Sequence, residues 1–249
     1  MSRAPDWLTA RPIAHRGLHD RVQGIIENTP SAVDAAVSAN FAIEVDLQLT
    51  ADGEAMVHHD FELGRLTQGD GVLRSLTAAQ LKQVGFKHTS DRMMTLGDLC
   101  ARVAGRVPMV LEIKSLFDGD RRLVSRMAEV LASYTGPAAT MSFDPDQVTA
   151  VRDLMPDRTR GIVAERHYTD GEWANLSPET IRDMTGLRHA FRTQPHFVSY
   201  RVDDLPAPPP WIARNVFGCA LITWTVRTPE QRERTARYAD QMTFEGFIP

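Results

Sequence analysis

Strand-like and helix-like stretches alternate along almost the whole of this chain, and that rhythm restricts the fold more than any single residue does. Short apolar runs fall at Pro12–Ala14, Ala42–Leu49, Met109–Lys114, Ala138–Met141, Thr159–Val163, Phe197–Tyr200, Ala220–Trp224 and Gln241–Phe244. Helical patterns fill most of the gaps. One opens at Thr29-Pro30, with Thr as N-cap and Pro at the first helical position; others are Leu96–Val103, Arg121–Tyr134, Pro145–Leu154, Pro178–Met184 and Pro229–Tyr238. Such alternation predicts a parallel sheet with crossover helices. Eight candidate strands in 249 residues predict closure into a (β/α)8 TIM barrel, with an open doubly wound sheet as the alternative.

One stretch, Phe61 to Thr95, breaks the rhythm. It is rich in Gly, Asp, Arg and Thr, with one short helix expected at about Ala78–Val84. It reads as a small excursion after the second strand, spanning about residues 60–95, within one domain of residues 1–249. Leu205–Pro210 reads as a loop, since proline breaks a helix interior. No internal repeat or interdomain linker is evident.

The formal net charge of −4 and the lack of a basic stripe argue against a nucleic-acid partner. No run of 18 apolar residues predicts a membrane span, and Met1 to Trp7 carry no apolar signal core. Cys100 and Cys219 are too few for a disulfide framework and read as buried, inert thiols. These features predict a soluble, cytoplasmic protein; the sequence leaves its oligomeric state open.

Side chains on a strand alternate between two faces. On Ala42–Leu49, Ile43, Val45, Leu47 and Leu49 share one face; Glu44, Asp46 and Gln48 share the other. On Met109–Lys114, Met109, Leu111 and Ile113 oppose Val110, Glu112 and Lys114. A half-exposed antiparallel strand would show the same pattern, its carboxylates in water. In a barrel, the apolar set packs against helices and the polar set points inward at the mouth where active sites form. Two strands with the same pattern in a βα chain favour the barrel.

Asp52-Gly53 signals a two-residue hairpin turn. With that loop, Leu47 pairs with His58 and Asp46 with His59, which places His59 on the face of Glu44 and Asp46; a bulge would exchange the two histidines. Three carboxylates sharing one small space need a cation, and oxygen ligands alone suit Mg²⁺ or Ca²⁺. Lys114 could then hold phosphate beside the metal, or simply pair with Glu112. His15 and Arg16 follow the first strand and precede Gly17, which allows a sharp turn or a close ligand approach.

The chain resembles the glycerophosphodiester phosphodiesterase family. The matching elements, in the family's order, are His15-Arg16-Gly17, Glu27-Asn28-Thr29, Glu44-Val45-Asp46, Asp52-Gly53, His59-Asp60, Leu63-Gly64-Arg65-Leu66-Thr67, Glu112-Ile113-Lys114, Ser142-Phe143 and Trp224-Thr225-Val226. The resemblance implies a βα barrel and a divalent metal on Glu44, Asp46 and Glu112. It implies His15 and His59 as the acid–base pair, Arg16 and Lys114 on phosphate, and Trp224 against glycerol. The implied reaction is hydrolysis of a glycerophosphodiester to glycerol 3-phosphate and an alcohol, in which the substrate's own 2-hydroxyl can be the nucleophile, giving a cyclic phosphate that is then opened. The alternative is lysophospholipase D-type hydrolysis of lysophospholipids at the same site. Many family members close on a Thr-Asp-x-Pro tail, whereas this chain reads Thr243-Phe244-Glu245-Gly246-Phe247.

Overall fold

The computed structural model describes residues 3–169 and 171–249; of the N-terminal stretch read above, Met1 and Ser2 lie outside them. Its strands are β1 (Ile13–Ala14), β2 (Ala42–Leu49), β3 (Ala55–Val57), β4 (Met109–Ile113), β5 (Ala138–Ser142), β6 (Thr159–Ala164), β7 (Phe197–Arg201), β8 (Ala220–Val226) and β9 (Gln241–Phe244). Parallel pairing runs β1-β9-β8-β7-β6-β5-β4-β2, and β1 pairs with β2 to close the ring. This is the (β/α)8 barrel expected, with β3 bonded antiparallel outside it. The helices are α1 (Pro30–Ser38), α2 (Ala78–Leu81), α3 (Leu96–Val103), α4 (Arg122–Leu131), α5 (Pro145–Leu154), α6 (Pro178–Thr185), α7 (Ala190–Thr193), α8 (Pro208–Asn215) and α9 (Pro229–Tyr238). Thr29 caps α1 by accepting from the backbone N–H of Ala32, and Pro30 follows at the first turn.

The alternation of faces builds two apolar layers. Ile43, Val45, Leu47, Leu111 and Ile113 point outward into a shell with Val33 of α1, Leu99 of α3 and Met127 of α4. Val110, Ala139, Met141, Val163, Phe197 and Ile222 fill the barrel interior, and Leu8 packs onto them. Gly161 makes that filling possible, since a Cβ there would sit 2.3 Å from the Phe197 ring. The excursion packs around its own small cluster, in which Leu63, Leu73, Leu81 and Phe86 meet Ile26 and Met56. Among the described residues, no helix is long and apolar enough to cross a membrane.

Two expectations are corrected. The first is the loop at Leu205–Pro210: α8 begins at Pro208, so Pro208, Pro209 and Pro210 form its first turn. The N–H groups that proline lacks would have had no partner inside the helix there. The second is the hairpin register. Thr50 N–H donates to the Glu54 carbonyl at 3.0 Å, and Gly53, at φ 80°, closes a three-residue loop. The extra loop residue shifts the ladder, so Leu47 pairs with Val57 and His58 N–H donates to the Asp46 carbonyl at 3.0 Å. His58 is buried, its ring 6.4 Å from that of Phe86. His59 reaches the barrel mouth for another reason. The ladder ends at Val57, and the Gln48 amide holds the departing chain by donating to the His59 and Asp60 carbonyls at 2.8 and 2.6 Å.

Candidate active site

The inward-facing series of each barrel strand ends at one mouth. These ends are His15 after β1, Glu44 and Asp46 on β2, Glu112 and Lys114 at β4, and Phe143 after β5. Glu165 follows β6, Arg201 ends β7, Trp224 lies on β8 and Glu245 follows β9. A cavity of about 340 Å³ opens there, lined by His15, Arg16, Glu44, His59, Glu112, Lys114 and Trp224. Asp46 lies against two of these, with Lys114 Nζ at 3.0 Å and Arg16 Nε at 3.3 Å. All eight residues singled out in the sequence thus share one place.

The register Asp46↔Glu112 sets the acidic group side by side on β2 and β4. One oxygen from each of Glu44, Asp46 and Glu112 lies within 4.8 Å of the others. Glu44 and Asp46 are each 1% exposed. Burial, then the charges of Asp46 and Glu112, push the Glu44 carboxyl well above its ordinary range. Asp46 goes the other way: burial would raise it, but Lys114 and Arg16 outweigh burial and hold it far below. Asn28 grips Asp46 twice, its amide donating to Oδ2 at 2.8 Å and its carbonyl oxygen accepting from the Asp46 N–H at 3.2 Å. Glu44 Oε1 is buried with no hydrogen-bond partner among the described residues. A buried carboxylate oxygen left unpaired beside two other carboxylates is what a divalent cation would satisfy, so the donor set fits Mg²⁺ or Ca²⁺.

The first cation-bearing loop is tightly made. Arg16 sits at φ 54° and Gly17 at φ 82°. This turn lets the Arg16 N–H donate to Glu44 Oε2 at 2.9 Å and the Gly17 N–H to the Glu44 carbonyl at 3.1 Å. A Cβ on Gly17 would meet Ala32 at 2.8 Å, so glycine is needed for α1 to approach. The Arg16 guanidinium donates to Glu27 Oε1 at 2.7 Å, and Glu27 in turn accepts from Arg65. Lys114 donates to Glu112 Oε1 at 2.7 Å; burial would lower its pKa, but Asp46 and Glu112 raise it, so it stays charged.

His15 and His59 lie on either side of this cluster. His15 Nε2 is 4.0 Å from Glu44 Oε2 and its Nδ1 is 2.8 Å from Glu245 Oε2. Burial lowers the His15 pKa, against the opposing pull of Glu245. His59 Nδ1 is 2.9 Å from Asp60 Oδ1, and Asp60 accepts two bonds from Arg65, at 2.6 and 3.0 Å.

The far wall differs in character. Phe143 stacks edge-on to Trp224 at 5.5 Å and tilts against Trp173 at 5.0 Å. Trp224 Nε1 donates to the Ser199 carbonyl, which fixes the indole. Glu165, whose pKa is raised by burial, pairs with Arg201 at 3.1 Å beside these rings. Glu165, Arg201 and Glu245 were not singled out in the sequence. The signal that could have found them is the same alternation of faces, carried past β2 and β4 to the ends of β6, β7 and β9. Of the two thiols, Cys219 is buried and Cys100 only half-buried; burial raises both, Cys100 to about 11.

A barrel whose strand ends converge on one charged mouth defines a (β/α)8 enzyme. Residues 15–248 match the model of the glycerophosphoryl diester phosphodiesterase family, and the chain belongs to that family. It is 33% identical over 248 residues to YhdW of Bacillus subtilis, covering 95% of this chain and 92% of that protein. It is 29% identical over 234 residues to a glycerophosphodiester phosphodiesterase of Caldanaerobacter subterraneus, covering 89% and 88%. Among solved structures, an Oleispira antarctica phosphodiesterase in complex with the product sn-glycerol-3-phosphate superposes with a TM-score of 0.77 at 18% identity, covering 96% of this chain and 94% of that one. At that identity the likeness shows the fold.

Proposed function

We propose that this protein hydrolyses glycerophosphodiesters to glycerol 3-phosphate and an alcohol. The observation that carries this reading is the single cavity in which a buried acidic triad, two cations and two histidines meet. Glu44, Asp46 and Glu112 would hold Mg²⁺ or Ca²⁺; when bound, such an ion polarises a phosphate oxygen and lowers the pKa of a bound hydroxyl. Arg16 and Lys114 neutralise charge building on the phosphate as it is transferred. One of His15 and His59 takes the proton of the attacking hydroxyl while its oxygen bonds to phosphorus; where that hydroxyl is the substrate's own 2-hydroxyl, the product is a cyclic phosphate that water then opens to glycerol 3-phosphate. The other gives a proton to the departing alcohol oxygen as its bond to phosphorus breaks. Trp224 offers its ring face to the glycerol. The test is release of glycerol 3-phosphate from glycerophosphocholine, glycerophosphoethanolamine and glycerophosphoinositol, with EDTA and after restoring Mg²⁺ or Ca²⁺. No release from any of the three under any metal condition sinks the reading.

A second reading has one observation in its favour. A neighbouring cavity of about 370 Å³ shares His59, Glu112 and Lys114 with the first and runs on past Phe61, Leu116, Phe117 and Leu176. Asp60, Glu62, Asp144 and Asn175 also line it, but its apolar side chains would suit an acyl chain, so lysophosphatidylcholine belongs beside glycerophosphocholine in the assay. Faster turnover of the lipid would favour lysophospholipase D-type hydrolysis.

A further inference from the structure

We propose that Glu245 is a positioning residue for His15, holding it as the tautomer that carries its proton on Nδ1 and leaves Nε2 free to face the phosphate. This rests on the reaction proposed above. Glu245 is 230 residues from His15 in the chain, yet the pairing of β1 with β9 sets them side by side. His15 N–H donates to the Phe244 carbonyl at 3.0 Å, which anchors the two backbones at the point where both side chains emerge. Glu245 Oε2 lies 2.8 Å from His15 Nδ1 and accepts from Arg227 Nη2 at 2.9 Å. Arg227 thus holds the carboxylate, and the carboxylate holds the ring.

The charge state agrees with the geometry. Burial would raise the Glu245 carboxyl, but the His15 bond and Arg227 bring it down to about 2. It is therefore an anion and can only accept, so His15 Nδ1 must donate. Which imidazole nitrogen keeps its proton is set by the bond the other makes. His15 Nε2, 4.0 Å from Glu44 Oε2, is then the nitrogen turned toward the acidic cluster. His59 has a local version of the same device, with Asp60 on Nδ1 and Arg65 on Asp60. The two differ in origin: Asp60 is the next residue, whereas Glu245 arrives from 230 residues away in the chain, on the neighbouring strand.

The experiment uses full-length protein at pH 8, with the parent, Glu245→Ala and Glu245→Gln compared by ¹⁵N NMR of the His15 ring and by steady-state kinetics. The parent should show Nδ1–H. Glu245→Ala should move His15 toward Nε2–H and lower kcat on glycerophosphocholine between ~10- and ~10²-fold, with KM changed by less than about twofold. Glu245→Gln keeps an acceptor for Nδ1–H, so it should retain the parent tautomer and recover most of the lost kcat. The proposal is overturned by Nε2–H in the parent, by an unchanged tautomer or kcat in Glu245→Ala, or by Glu245→Gln as slow as Glu245→Ala. If Glu245→Ala does not fold, an Nε2–H signal in Glu245→Gln overturns it alone. The ring signals are read without substrate, so a parent inert toward every diester would refute the reaction and leave the tautomer result standing.

Discussion

The mouth of this barrel has two unlike halves. The half built from β1, β2 and β4 is a lattice of buried charge, in which Glu44, Asp46, Glu112, Arg16 and Lys114 lock one another in place. The half built from β5, β8 and the segment after β6 is aromatic, with Phe143 packed against both Trp173 and Trp224. Both arise from the same rule, that alternate residues of a strand face inward. They differ in which side chains occupy the last inward positions, with Arg16 and Trp173 added from the segments that follow β1 and β6. In the reaction proposed above, the charged half would move protons and bind phosphate. The aromatic half can supply shape and apolar surface. The contrast teaches that charge and apolar surface are carried by different strands, so under the proposed reaction chemistry and fit should fail separately.

The largest break should come from the histidines. His15→Ala or His59→Ala should fold normally and lower kcat by at least ~10²-fold in the glycerophosphocholine assay; near-normal turnover in either would remove that residue from the acid–base pair. Next is the support behind the acidic triad. Asn28→Ala takes away both hydrogen bonds to Asp46, so affinity for Mg²⁺ or Ca²⁺ measured by calorimetry should fall ~10–100-fold. An unaltered affinity would mean that Asp46 is held well enough by Lys114 and Arg16. In the aromatic half, Trp224→Ala should raise KM about tenfold and leave kcat nearly unchanged, the signature of lost uniform binding. An equal fall in kcat would show that the two halves are not separable.

A further effect, on stability rather than turnover, lies away from both halves. His189 is 5% exposed, and neither ring nitrogen has a hydrogen-bond partner among the described residues. Burial, helped by Arg192, lowers its pKa to about 4. An unfolded chain takes up this proton near pH 6.5 and the folded one only near pH 4. Stability is therefore complete above about pH 6.5 and falls by about 3 kcal/mol as pH drops through 4. Denaturant unfolding of the parent and His189→Leu at pH 7 and pH 4 should show a smaller acid loss in the variant. Equal losses would acquit the buried imidazole.

Much of the fold was legible because periodicity is a local property. The strands Ala42–Leu49 and Gln241–Phe244 and the helices Leu96–Val103, Pro145–Leu154 and Pro229–Tyr238 lie where the pattern places them. The inward set Glu44, Asp46, Glu112 and Lys114 needed only parity. What failed depended on one residue more or less. The hairpin slipped because Gly53 closes a three-residue loop, and parity then put His58, not His59, opposite Asp46. The start of α8 was missed because proline was judged as a helix breaker without asking which turn it occupies. The inward placement of Glu245 was within reach of the same parity, but its pairing with His15 was not, since the two lie 230 residues apart and only ring closure brings them together.

That closure has a temporal side. β9 is the strand that joins β1 to β8, and it also delivers the carboxylate against the His15 ring. A growing chain carries His15 230 residues ahead of Glu245, so under the role proposed for Glu245 the ring waits for the last strand to be made. Partly made or C-terminally clipped molecules should therefore stay inert, with the barrel's last stave serving as the switch that arms its first.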